Sequence, residues 1–206
     1  MEEKIQLIKE WLGTGSINIF GLPMSGKDTQ GIRLAEALGA KFLSSGLIIR
    51  AMEEKEKVNL TDKGQLAPTD LFYKWVLPYF EREDLMESPL ILSSIGRCSG
   101  EEEQVMSVAE GAGHPIKAAV VLNASEEDVM RRWEAAKILN DRGVRADDNG
   151  QEVFKTRIKE FKEKTMPVLR SYNELGILVK VRADFDREAV FENLVSELAE
   201  FCKKDD

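Results

Sequence analysis

One short stretch restricts this chain more than any other: IFGLPMSGKDTQ, Ile19 to Gln30. A β-rich run, INIF at 17–20, leads straight into Gly21. After four intervening residues come Gly26 and Lys27, and there a helical pattern begins. Glycines let backbone N–H groups wrap an anion, and the start of the next helix adds its partial positive charge. A Lys on the first turn then reaches the outer oxygens of a phosphate chain. Gly-x₄-Gly-Lys between a strand and a helix therefore predicts a phosphate-binding loop. The usual pattern places Ser or Thr directly after the Lys, to hold Mg²⁺. Here Asp28 follows Lys27, and Thr29 comes one place later.

A loop of this kind needs a sheet to carry it. PLILSS (89–94), KAAVVL (117–122) and ILVKVR (177–182) are the best further strands, with KFL (41–43) a weaker one. They are apolar without clean alternation, as expected for parallel strands covered on both faces. Helical patterns near 27–38, 46–56, 69–83, 100–111, 125–139, 150–174 and 187–203 lie between them. Strand alternating with helix predicts an α/β fold with a five-stranded parallel sheet flanked by helices. Such sheets bind ligands at the carboxyl ends of their strands. Residues 57–68 and 140–150 read as loops.

At 206 residues and 43% apolar content, the chain supports one core. Its net charge of −8 argues against a nucleic-acid polymer or a polybasic membrane contact as partner. Cys98 and Cys202 are too few and too far apart for a disulfide framework or a zinc cluster. No apolar run approaches the ~20 residues needed to span a bilayer. The N-terminal MEEKIQLIKEWLG spaces Ile5, Ile8, Trp11 and Leu12 as an amphipathic helix and lacks the apolar block of a signal peptide. The expected setting is cytoplasmic, and the expected state a monomer. His114, the only histidine, is expected in a loop before a strand. Trp11, Trp75 and Trp133 are expected in packing.

With these motifs in view, the chain resembles the adenylate kinases and related nucleoside monophosphate kinases. Gly-x-Pro-x-x-Gly-Lys-x-Thr-Gln carries the first part of the resemblance, with Met24 and Asp28 standing at two family glycines. FLSSGLIIR (42–50) is similar to the segment that holds the monophosphate, with Ser45, Gly46 and Arg50 in place and Leu47 where an acid is usual. KGQLAPTD (63–70), with Leu66 and Ala67, resembles the segment covering the acceptor base. LSSIGRCSGEE (92–102) keeps Leu92 and Arg97 of the family motif. VVLNASEEDVMRRW (120–133) puts Arg132 where an Arg packs on the donor base. Arg145, in RADD, and Arg157 match the arginines flanking the lid.

The resemblance implies a P-loop NTPase fold in one domain, 1–206. Its core would be 1–43, 76–132 and 146–206, with an NMP-binding subdomain at 44–75 and a short lid at 133–145. It implies transfer of the γ-phosphoryl group of Mg²⁺·ATP to a nucleoside monophosphate, by family AMP. Gly21, Ser25, Gly26, Lys27, Asp28 and Thr29 would hold ATP. Lys27, Arg97, Arg145 and Arg157 would be catalytic, and Arg50 and Arg97 would hold the acceptor phosphate. One lid arginine of the family is missing; the alignment places Ala136 there, with Lys137 and Arg142 nearby.

The arginines make the same case by chemistry. Phosphoryl transfer gathers several negative charges, and catalysis is mostly positioning plus electrostatic stabilisation of them. That needs converging cations, some with the planar fork of Arg.

Two departures raise questions. The family has an Asp at position 93 that orients water around Mg²⁺; this chain has Ser93. Asp28 is either its replacement, since carboxylate oxygen suits a hard cation, or an outward helix-start acid favoured by the dipole. Four residues past Arg97, where adenylate kinases have a Gln that pairs with adenine, stands Glu101. A carboxylate only accepts hydrogen bonds and would favour a base edge of N–H donors; otherwise GEEEQ is a solvated helix start. A nucleotide sensor of the same fold and a P-loop kinase of another small acceptor remain alternatives.

Overall fold

The computed structural model describes residues 1–139 and 150–205. Its strands are β1 (Ser16–Gly21), β2 (Lys41–Ser44), β3 (Leu90–Ser93), β4 (Ile116–Asn123) and β5 (Leu178–Arg182). All pair in parallel, in the order β2-β3-β1-β4-β5. The strand that feeds the glycine loop is therefore the middle one. Ile19 of β1 lies beside Ser93 of β3 and Val120 of β4.

Nine α-helices among the described residues surround the sheet: α1 (Glu2–Leu12), α2 (Lys27–Leu38), α3 (Ser45–Glu56), α4 (Thr69–Val76), α5 (Glu101–Gly111), α6 (Glu126–Leu139), α7 (Gln151–Glu160), α8 (Met166–Glu174) and α9 (Arg187–Asp205). Two expected helices are subdivided. The one over 69–83 stops at Val76, and Pro78 sits in the 3₁₀ turn that follows, because proline has no N–H to extend the ladder. The one over 150–174 contains a π-helical turn, Phe161–Thr165, directly before Pro167 at the start of α8.

Successive strand residues face opposite sides, so the apolar runs feed two layers. Ile17, Ile19, Ile91, Ala118 and Val120 pack with α1, α2 and α9. Phe20, Ala119 and Val121 pack with Val168, Leu169 and Tyr172 of α8. Leu90 and Leu92 pack with residues of α3, α4 and α5. The amphipathic N-terminal helix buries Ile8 and Leu12 completely, worth roughly 1.5–3 kcal/mol each. Lys4 Nζ donates to Ser196 Oγ at 2.9 Å and Trp11 Nε1 to Asp205 Oδ2 at 3.0 Å, tying α1 to α9. Trp75 and Trp133 are buried as expected. His114 is buried in the turn before β4, with Nδ1 3.1 Å from the Thr14 carbonyl. That is the amino-terminal edge of the sheet, opposite the glycine loop. No helix among the described residues is long and apolar enough to cross a membrane.

Candidate functional site

The loop after β1 is held largely by its backbone. A Cβ on Gly21 would stand 2.4 Å from Ser25 Oγ and 3.2 Å from the Leu122 carbonyl, so any side chain here forces Ser25 to shift. Two residues turn left-handed, Met24 at φ 64° and Gly26 at φ 93°. Glycine adopts such angles freely; Met24 does so at a cost. Gly26 caps α2, whose first N–H groups have no helical carbonyl to meet. Ser25 Oγ is buried and has no hydrogen-bond partner among the described residues. Arg132, on α6, ties this loop to the segment after β5. Its guanidinium donates to the carbonyls of Met24 and Ser25, each at 3.4 Å, and to those of Ala183 at 2.5 Å and Phe185 at 3.2 Å. Together with Ser25, Gly26, Thr29 and Phe185, Arg132 also lines a cavity of about 350 Å³.

On the other side of the loop lies a cleft at the carboxyl ends of β1, β2 and β3. Lys27 and Asp28 enter it from α2, and Ser45, Gly46 and Arg50 from α3. Leu66 and Ala67 close it from the segment before α4. Ser93 and Arg97 come from β3 and the loop after it, and Arg157 from α7. Four cations scattered along the sequence thus share one cleft. Their mutual cost is visible at Arg97: desolvation first, then repulsion from Arg157, pushes its guanidinium down to about 10. Arg145 and Arg142 lie outside the described residues.

The two departures meet other residues here. Ser93 Oγ donates to Asp28 Oδ1 at 2.5 Å, so the α2 carboxylate points across to the end of β3. It does not turn outward. Ser45 Oγ donates to the Ser94 carbonyl at 2.7 Å, pinning the start of α3 to the same strand end. Glu101 and Glu102 are buried, not a solvated helix start. Glu101 Oε2 accepts from the N–H groups of Arg97 at 2.8 Å and Cys98 at 2.9 Å, and Oε1 from Thr69 Oγ1 at 2.7 Å. Burial, then the charge of Glu101, raises the Cys98 thiol to about 11.

Three further residues organise the site without any motif to mark them. Asn18, buried in β1, donates Nδ2 to the Ile95 carbonyl at 2.7 Å and accepts from Ile95 N at 3.2 Å. Glu53 accepts from the N–H groups of Leu60 at 2.6 Å and Thr61 at 2.8 Å. Glu160 accepts from Leu66 N at 3.1 Å. With Gly64 so close to α7 that a Cβ would lie 2.6 Å from the Val153 carbonyl, the 57–68 segment is seated on that helix. Asn18 alone had a sequence signal: an amide in a strand apolar on both faces must find partners.

A parallel sheet whose middle strand feeds a Gly-x₄-Gly-Lys loop, faced by cations from three other elements, defines a P-loop kinase. A family model described as an AAA domain matches residues 20–155. The adenylate kinase of Thermus thermophilus is 31% identical over 177 residues, spanning 82% of this chain and 90% of its own length. That of Agrobacterium fabrum is 31% identical over 181 residues, spanning 84% and 91%. That of Bacillus subtilis is 27% identical over 206 aligned residues, spanning 85% and 94%. Among solved structures, a gluconokinase from Sinorhizobium meliloti 1021 shares the fold with a TM-score of 0.60 and 20% identity, covering 92% of this chain and 94% of that one. The chain belongs to the adenylate kinase family.

Proposed function

We propose that this protein is a nucleoside monophosphate kinase, transferring the γ-phosphoryl group of ATP to a nucleoside monophosphate, with AMP the acceptor favoured by its relatives. One observation carries this: Lys27 of the glycine loop shares a cleft with Arg50, Arg97 and Arg157, under the apolar cover of Leu66 and Ala67. Lys27 and the amides of the loop from Gly21 to Thr29 hold the donor phosphates, and the Arg132 cavity takes the donor base. Ser45, Gly46 and Arg50 hold the acceptor, with Arg97 on its phosphate. An acceptor phosphate oxygen attacks the γ-phosphorus, the bond to the bridging β-oxygen breaks, and ADP leaves with that electron pair. Arg97, Arg157 and Arg145 stabilise charge on the transferring group. No covalent enzyme intermediate is needed. The molecule works as a monomer on two nucleotides.

Mg²⁺ fits beside the loop, where the Asp28 carboxylate offers a hard oxygen and the Ser93 hydroxyl that donates to it would reach the metal through water. When bound, it would neutralise donor phosphate charge. Asp28 then replaces the acid that the family resemblance implies at position 93.

A coupled assay of ATP against AMP, GMP, CMP, UMP and dTMP tests the function. Turnover of at least one supports it. Turnover of none, with ATP binding intact by calorimetry, favours a nucleotide sensor. For the metal, ATP affinity is titrated against Mg²⁺ in wild type and Asp28→Gly. Loss of the Mg²⁺-dependent gain in the variant is expected. An unchanged dependence, with full activity at limiting Mg²⁺, would sink the relocated acid.

A further inference from the structure

We infer that Glu101 is a positioning residue that sets Arg97, and that its carboxylate does not read the acceptor base; this rests on the proposed function only for its kinetic consequences. The loop between β3 and α5 is irregular. Ser94 (φ 53°), Gly96 (φ 78°) and Gly100 (φ 90°) all turn left-handed, so no regular backbone ladder fixes the residues between them. Arg97 lies in the middle of this loop and needs an anchor on each side. Asn18 supplies the first by gripping both backbone groups of Ile95. Glu101 supplies the second by taking the N–H groups of Arg97 and Cys98 on one oxygen.

The other oxygen of Glu101 takes the hydroxyl of Thr69, the first residue of α4. Thr69 directly follows the segment that covers the cleft. One buried carboxylate, 3% exposed, thus links the Arg97 loop to the acceptor cover. Both oxygens already accept from the protein itself, three donors in all, which satisfies the buried carboxylate without a ligand. The small cavity beside it, about 20 Å³, is walled by Ile49, Leu66, Ala67 and Phe72 on one side and by Ser94, Arg97 and Glu101 on the other.

Two variants separate anchoring from base reading. Glu101→Ala removes all three acceptors. Glu101→Gln keeps one oxygen for the two N–H groups and offers an amide N–H to Thr69 Oγ1, which also accepts. Hydrogen exchange at the amides of Arg97 and Cys98 needs no substrate and is read first. Protection is expected to fall at least about tenfold in Glu101→Ala and to be largely retained in Glu101→Gln. In the acceptor assay, Glu101→Ala lowers kcat by about 10–100-fold, by the same factor for every acceptor, as displacement of a reacting-centre group does. Glu101→Gln loses less and keeps the acceptor ranking.

Unchanged exchange at those amides in Glu101→Ala would overturn the anchor. A tenfold or larger change of acceptor ranking in Glu101→Gln would overturn the claim about the base. If wild type turns over no monophosphate, the proposed function fails while the exchange result still decides the anchor. If Glu101→Ala does not fold, Glu101→Gln and Thr69→Val decide. Thr69→Val cuts only the link to α4, and is expected to raise the acceptor KM a few-fold while protection at Arg97 and Cys98 stays. Loss of that protection in Thr69→Val, or of the wild-type ranking in Glu101→Gln, then counts against the inference.

Discussion

Two loops leave neighbouring strands and face the same cleft, one after β1 and one after β3, and they differ in how much of their shape comes from side chains of other elements. The first, Gly21 to Lys27, is shaped mainly by backbone: a glycine with Ser25 Oγ packed against it, two left-handed residues and a helix start, with Arg132 the one side chain from another element shown donating to its carbonyls. The second, Ser94 to Gly100, is shaped by side chains reaching in from elsewhere: Asn18 from β1, Asp28 from α2 on the strand end, Glu101 from α5. A loop made by backbone writes its rule in consecutive residues. A loop made by side chains writes it across the chain, where no local motif records it. The first is built to wrap a ligand's charge with amides, the second to hold one guanidinium in place.

The largest test of this contrast falls on the cations themselves. Lys27→Met removes the one side-chain charge of the first loop and is expected to lower kcat by about 10³-fold, with the fold intact by circular dichroism. Arg97→Lys keeps the charge of the second loop and loses the planar fork, so it is expected to cost about 10²-fold. Equal activity of Arg97→Lys and wild type would mean that the second loop supplies charge alone and that its anchors are not about orientation. Because desolvation and Arg157 hold the Arg97 guanidinium at about 10, its charge is present at neutral pH and is lost as pH rises past that value. Arg157→Gln removes the repulsion and moves this alkaline limb upward. A limb that does not move would break the pairing of the two arginines.

The fold was open to sequence reasoning because its signals are local. Apolar runs without alternation marked the five strands, and Gly21, Gly26 and Lys27 marked which strand feeds the glycine loop; that this strand is the central one came from the structure. The missed boundaries follow from Pro78 and Pro167, each of which ends a regular ladder within a helical pattern. The cations Lys27, Arg50, Arg97 and Arg157 were singled out through the order of motifs, and the structure gathers them around one cleft. Glu53 and Glu160 were not found, because an acid on a helix face looks solvated until a loop is seen seated on it. Glu101 was singled out by its spacing from Arg97 as a partner for a base; that its oxygens accept from two backbone N–H groups and from Thr69 had no local signal.

Cys98 reports on the second loop without any substrate. Burial, then Glu101, lifts its thiol from 9.0 to about 11. The charged form is the disfavoured one, so at pH 8 the thiolate population is about a hundredfold below that of an unperturbed thiol. Iodoacetamide labelling of the native protein should stay slow through pH 9 and rise only beyond it, read by mass spectrometry at Cys98. Glu101→Gln removes the neighbouring charge and should speed labelling a few-fold at fixed pH. No change would mean that burial alone governs the thiol.

The first loop is tested by adding a methyl group. Gly21→Ala places a Cβ 2.4 Å from Ser25 Oγ, and is expected to destabilise the protein by about 1–3 kcal/mol in urea unfolding and to weaken ATP binding. Ser25→Gly deletes the nearest colliding atom, so the double variant should recover part of the loss. Additive effects would show that the Leu122 carbonyl, 3.2 Å from the added Cβ, is the true obstacle.

Met24 is the smallest test and the sharpest one for the backbone account. It holds φ at 64°, an angle glycine adopts freely and a side chain adopts at a cost of roughly 1–2 kcal/mol. Against that gain, Met24→Gly loses the partial packing of the side chain on the cluster around Leu22, Val129, Trp133 and Phe154. It also loosens the unfolded chain, by about 0.4–1 kcal/mol. The terms nearly cancel, so the expected change in stability is within about 1 kcal/mol of zero. The Met24 carbonyl that receives Arg132 is kept in the variant. ATP affinity should therefore hold within a few-fold. A large loss of ATP affinity in Met24→Gly would mean that the side chain, and not the left-handed turn, is what the first loop requires at this position. The contrast between a backbone-built loop and a side-chain-built one would then fail at its clearest point.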